Sequence, residues 1–183
     1  MKRVPGLNLV TFLVAGSIAL AACDDDNGTG PVVDLDAVAG IYEPLTLTFD
    51  PQGSAPAADV LDALVAGGVE PELNIANTGE FDIFFRDPVS GSLVLLQGSV
   101  QPVVDGVRLN FNSLEDAHRV VLPRTLTLDY DAEAQTLGFS GSASVGRARL
   151  LELFPVLYQD EQLFDPTPGT LTVGWQRTGA GEE

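Results

Sequence analysis

From Gly40 onward, apolar and polar residues alternate in short runs. Leu45, Leu47 and Phe49 alternate with Thr46 and Thr48. Leu73 and Ile75 follow in the same way, then Phe81, Ile83 and Phe85 against Asp82, Phe84 and Arg86. Val107, Leu109 and Phe111 form the next set, followed by Leu126, Leu128 and Tyr130, then Leu137 and Phe139, and finally Leu171, Val173 and Trp175. Such a period of two, with one apolar face, marks half-buried antiparallel strands. The run from Leu93 to Val104 is less regular, and Gly98 and Pro102 read as bulge or edge positions.

Turn chemistry separates the runs. Asn77-Thr78-Gly79, Asp87 to Gly91 and Asp131-Ala132-Glu133 are turn-like. Asp105-Gly106 reads as the centre of a two-residue hairpin, where positive φ is needed. Short links make successive strands neighbours. Two segments change period: Val60, Leu61, Leu64 and Val65 before Gly67-Gly68, and Leu150, Leu151, Leu153 and Phe154 before Pro155. The first predicts a short helix, and the second a short helix stopped before Pro155 or a strand. The pattern predicts an all-β domain over 39–178: an antiparallel up-and-down meander of about eight or nine strands with one or two short helices. Closure into a barrel or half-barrel would hide its edges.

At the N-terminus the pattern differs. Lys2 and Arg3 precede an apolar run from Leu7 to Leu20. That run is shorter than the ~20 residues a spanning helix needs. Charge, apolar run and small residues in this order describe a secretory signal peptide over 1–22. Leu20-Ala21-Ala22-Cys23 resembles the lipobox of bacterial lipoproteins. The resemblance implies cleavage before Cys23, acylation of its sulfur and amino group, and a membrane anchor through those acyl chains. Asp24 resembles an inner-membrane retention signal of enterobacterial lipoproteins, but inner versus outer membrane stays open. Residues 23–38 read as the lipidated cysteine and a flexible acidic tether, and 179–183 as a disordered tail.

The barrel has its own resemblance. Gly40-Ile41-Tyr42 at the start and Arg177 at the end are similar to the lipocalin pattern, in which an aromatic residue of the first strand packs on a late arginine. In this chain Tyr42 stands where that family has tryptophan. The resemblance implies a lipocalin-like barrel closed by Tyr42 and Arg177 through a cation–π contact.

Composition narrows the function. The chain has 183 residues, 45% of them hydrophobic, with 19 glycines and 12 prolines. Its net charge of −17 repels phosphate backbones, so nucleic acid is excluded as a partner. Beyond Lys2 every basic residue is an arginine. With one cysteine there is no intramolecular disulfide. That cysteine lies beside three aspartates, which disfavour a reactive thiolate.

Candidate chemistry is sparse. His118 is the only histidine, which rules out a multi-histidine metal site, and it reads as a solvated loop residue. Asp25, Asn27, Thr29, Gly30 and Asp36 mimic a calcium loop, but position 12 lacks its glutamate. Ser144 sits in a near miss to a nucleophile elbow, in the wrong β context. The pairs Glu115/Asp116, Asp129/Asp131 and Asp160/Glu161 read as solvated turn residues. No catalytic residue, metal site or cofactor is expected. The apolar face of Phe81, Ile83, Phe85, Leu109, Phe111, Leu126, Leu128, Phe139 and Trp175 is core by default, and ligand-facing if the barrel is wide. The reading is a lipid-anchored cell-envelope lipoprotein with a non-enzymatic β domain. Its partner is then a small apolar ligand or, if the core is solid, another envelope protein.

Overall fold

The computed structural model of the chain describes residues 31–180. The expected signal peptide and Cys23 lie outside the described residues, as do all but one of the calcium-loop positions and residues 181–183. Within the described residues, a short helix α1 (Leu35–Val38) precedes β1 (Gly40–Pro51), β2 (Ala58–Asp59) and α2 (Val60–Val65). Then come β3 (Glu72–Ile75), β4 (Glu80–Arg86), β5 (Leu93–Val103), β6 (Gly106–Phe111) and α3 (Leu114–Arg119). The chain ends with β7 (Thr125–Asp131), β8 (Thr136–Val145), α4 (Arg147–Leu153) and β9 (Thr167–Gly179).

Consecutive strands from β3 to β9 pair antiparallel, and β9 returns to β1. The result is a closed eight-stranded up-and-down barrel with β2 as an extra strand. One edge of β1 is shared. Its first residues, Gly40 to Tyr42, pair with β3, and Thr48 and Phe49 pair with β2.

The alternating runs occupy the predicted strands, and their apolar members fill the interior. Phe81 and Phe111 meet edge to face there, with centroids 5.1 Å apart. Each such side chain removed from water contributes about 1.5–3 kcal/mol. Leu45 is an exception to its run, at 59% exposed. Pro44 pairs with Trp175 and Thr46 with the next residue, Gly174, so Leu45 is the extra residue of a β-bulge. The bulge turns Leu45 outward and restores Leu47 and Phe49 to the core.

Four further expectations shift. The β5–β6 hairpin turns on Val104-Asp105, because Val103 already faces Gly106. Asp105 carries the positive φ, 58°, and Gly106 lies in the strand, where a Cβ would run into the Leu128 carbonyl oxygen. Gly98 is not a bulge but sits in regular register beneath the Phe81 ring. Pro102 does occupy an edge, since the β4 ladder stops at Glu80 and Ser99. Asp129 and Asp131 lie within β7 rather than in a turn, and Asp131 then caps the following turn through Glu133 and Ala134 N–H. The segment 32–38, assigned above to the tether, is docked: Val32 bridges to Val104, and Val38 is fully buried.

The predicted helices form as α2 and α4. Two more, α1 and α3, were not expected. In α3 the Ser113 hydroxyl accepts the Asp116 N–H at 3.0 Å, a side-chain N-cap. Glu115 and Asp116 are therefore first-turn residues of a helix, where acidic side chains suit the helix dipole.

Candidate functional site

The barrel has two differently built ends. At the first, α1 lies across the opening and presents its last carbonyls, which have no partner within so short a helix. The Tyr42 hydroxyl donates to the Val38 carbonyl at 2.6 Å. The Tyr130 hydroxyl donates to the Ala37 carbonyl at 2.9 Å, and Arg177 Nη1 donates to the same oxygen at 3.1 Å. Arg177 Nη1 also reaches Gln135 Oε1 at 3.0 Å. Gly40 makes room for this arginine, since a Cβ there would lie 2.5 Å from Arg177 Nε.

Tyr42 and Arg177 thus pair directly across the β1–β9 ladder. Their common partner is the end of α1. Burial pushes the Tyr42 phenol up to about 12, with the Arg177 charge opposing part of that rise. This end is closed by α1.

The opposite end is more open. Here α3, α4 and the β4–β5 turn enclose a cleft of about 630 Å³. Val89, Leu114 and Ala148 give it apolar surface, and His118, Arg119 and Glu152 give it polar groups. Its frame is a buried ion pair. Arg149 Nη2 meets Asp87 Oδ1 at 3.1 Å, and both side chains are only 8% exposed. Arg149 also donates from Nε to the Arg119 carbonyl at 3.0 Å and from Nη1 to Glu152 at 3.1 Å. One guanidinium therefore ties the β4–β5 turn, α3 and α4 together with its fork of donors.

Burial alone would raise the Asp87 carboxyl. The Val89 N–H, which donates to Oδ1 at 2.9 Å, and the Arg149 guanidinium outweigh it and hold the pKa below the ordinary value. His118 lies on α3 and is half-buried, not solvated in a loop. Its ring packs on Gly146, where a Cβ would approach Nδ1 to 2.7 Å. Burial lowers its pKa, and Asp165 opposes the shift. The imidazole is thus held toward its neutral form, with a donor and an acceptor to offer.

The apolar residues considered above as ligand-facing are core. Ile83, Phe85, Leu109, Leu126, Leu128 and Trp175 are at most 3% exposed, and Phe81 and Phe111 are equally enclosed. Phe139 is half-buried in the wall. Phe81 and Phe139 each touch a smaller cleft, one beside Asp82 and Gln97, the other beside Thr136 and Ser140. Ser144 is an exposed strand residue, and Asp160 and Glu161 are loop residues. Among the described residues no cluster of three metal-ligating side chains forms, and no helix is long and apolar enough to cross a membrane.

Sequence reasoning missed Asp87 and Arg149, the framework of the cleft. The one local hint was an arginine in the middle of the apolar helix of Leu150, Leu151 and Leu153. Its partner lies 62 positions away.

Topology and the closing ladder define the class: a small closed antiparallel up-and-down barrel. No protein-family model matches the chain. No curated protein matches it either. Among solved structures it is similar to a lipocalin-like protein from Bacteroides uniformis, at 13% identity and a TM-score of 0.36. That similarity covers 78% of this chain and 99% of the other.

Proposed function

We propose that the protein is a lipid-anchored envelope protein, acylated at Cys23, whose barrel binds a small, mainly apolar ligand in the cleft between α3 and α4. The observation that carries the ligand site is the cleft itself. Its ~630 Å³ fall within the ~300–1,000 Å³ usual for small-molecule pockets. Its apolar walls surround a few polar groups held in fixed positions by the Arg149 network. The barrel interior, by contrast, is filled with packed side chains and serves as scaffold.

The anchor rests on the lipobox resemblance at Leu20 to Cys23. Two or three acyl chains on one residue give stable attachment without a basic patch, which this acidic chain lacks. The tether joins the barrel near Val32, beside the β5–β6 turn and α1. The cleft is at the other end, facing away from that attachment.

A second reading is an interaction lipoprotein that works through its surface. It is favoured by Val89, Leu93, Val156 and Phe164, all exposed around the cleft end of the barrel.

Two experiments test the proposal. Cys23→Ala should leave the protein unprocessed or released from membranes, and normal cleavage with retained membrane binding would contradict the anchor. A neutral apolar fluorophore, N-phenyl-1-naphthylamine, should bind the wild-type domain and lose binding in Ala148→Trp, which fills the cleft. Binding unchanged by that substitution would remove the cleft from the account.

A further inference from the structure

Strand pairing around the barrel is incomplete between β7 and β8. β8 pairs with β9 along its whole length, from Thr136 opposite Gln176 to Val145 opposite Thr167. Its pairing with β7 is confined to Gly138, Leu137 and Thr136, opposite Asp129, Tyr130 and Asp131. β7 nevertheless stays paired with β6 back to Thr125. Beyond Gly138, residues 125–128 and 139–145 therefore face each other across a window in the wall. At its far end the window is bounded where His118 packs on Gly146.

Alternation fixes which backbone groups line this window. Arg177 N–H donates to the Gln135 carbonyl at 2.9 Å, so the odd residues at this ladder exchange bonds with β9. The even residues Ser140, Ser142 and Ser144 direct N–H and C=O toward β7, where no strand pairs with them. On the other side, Phe111 N–H donates to the Arg124 carbonyl and Tyr130 N–H to the Asp105 carbonyl, each at 2.9 Å. Even residues of β7 thus serve β6, and Thr125 and Thr127 direct their backbone groups into the window.

The side chains add polarity. Ser140, Ser142 and Ser144 are exposed, and Phe139, Gly141 and Ala143 are half-buried toward the interior. The segment from Gly138 to Val145 carries no charge and no proline, so it lacks the devices that keep an edge from pairing. Exposed Arg124 and Arg147 flank the window at the cleft end, and Asp129 and Asp131 flank the other. Donors and acceptors repeating every second residue on both sides match an extended peptide backbone. In a chain of net charge −17, these two exposed arginines favour an acidic group at that end.

We propose that this window is a strand-acceptor site for an extended segment of a partner protein. The segment turns alternate apolar side chains toward Ala143 and the Phe139 ring, which covers Gly141, and places an acidic residue or carboxyl terminus between Arg124 and Arg147. A second copy of this chain fits less well, because it would bring the same acidic surface against itself.

The test uses amide hydrogen exchange by NMR with a fluorescent synthetic peptide of alternating threonine and valine ending in aspartate. The amides of Ser140, Ser142 and Ser144 should exchange fast in the free protein, and slowly with peptide bound. Ser142→Pro removes a donor that no ladder uses, so the melting temperature should stay at the wild-type value while peptide affinity falls about tenfold. Arg147→Glu should also weaken the peptide, without unfolding the barrel. The proposal is overturned if these amides are already protected in the free protein, or if saturating peptide leaves them unprotected. Dimerisation through this edge on sedimentation would overturn it too, by assigning the site to a second copy. Ser142 lies outside the cleft, so Ser142→Pro should bind the naphthylamine as the wild type does, and loss of peptide alone in that variant separates the two sites.

Discussion

Tyr42 and Arg177 face each other across the ladder that closes the barrel, and each holds one of the two last carbonyls of α1. The seam and the helix that caps it are therefore one hydrogen-bonded unit. Tyr42→Phe leaves the buried Val38 carbonyl without this donor and should lower stability by about 1–2 kcal/mol. Arg177→Met should loosen α1 as well, since Ala37 and Gln135 both lose a donor. Urea unfolding reads the first effect, and hydrogen exchange at Val38 and Ala39 reads the second. Unchanged stability in Tyr42→Phe would show that α1 does not depend on this contact.

The same burial sets an alkaline limit. Tyr42 and Tyr158 are both pushed up to about 12 by burial, from an unfolded value of ~10. A raised folded pKa means that their contribution to stability is complete below pH ~10 and is lost as pH rises toward 12. Ultraviolet titration of the phenolates should show two of the three tyrosines ionising near pH 12, followed or accompanied by unfolding. Ionisation of Tyr42 and Tyr158 near pH 10 in folded protein would contradict their enclosure.

His118 gives an acidic counterpart. Its folded pKa is lowered by burial, so the fold favours the neutral ring. The associated stability is fully present above the unfolded value of ~6.5, and is lost as pH falls through the lower folded value. Proton NMR of this single histidine should give a midpoint below 6.5. A midpoint at or above 6.5 would place the ring in solvent and remove it from the cleft wall.

Arg149 and Asp87 form the buried pair that frames the cleft. Removing one partner strands the other charge, so Arg149→Met should destabilise the domain by about 3–5 kcal/mol. Replacing both, as in Asp87→Leu with Arg149→Met, should recover a substantial part of that loss. Thermal and urea unfolding of the three variants completes the cycle. Additive losses would show that the two side chains are not coupled.

These relationships also mark what was legible in the chain. Phe81, Ile83 and Phe85 stand where period-two alternation puts them, because a strand with one buried face writes its geometry directly into neighbouring residues. The Leu45 bulge was not legible, since it is set by how β9 pairs from the far end of the sequence. α3 carried a faint signal, Ser113 followed three residues later by Asp116, which a short helix with few apolar residues made easy to read as a turn. The ion pair of Asp87 and Arg149 depends on tertiary approach, as does the β7–β8 window. No local spacing encodes either of them.

The central claim is that the barrel is a packed scaffold and that its ligand site is the α3–α4 cleft. Chemical-shift mapping with N-phenyl-1-naphthylamine tests it most directly. Saturable shifts are expected at Val89, Leu114, His118 and Ala148, with Leu109 and Leu128 unmoved. Saturable shifts centred on Leu109 and Leu128, with the cleft residues unmoved, would place the ligand inside the barrel and contradict it.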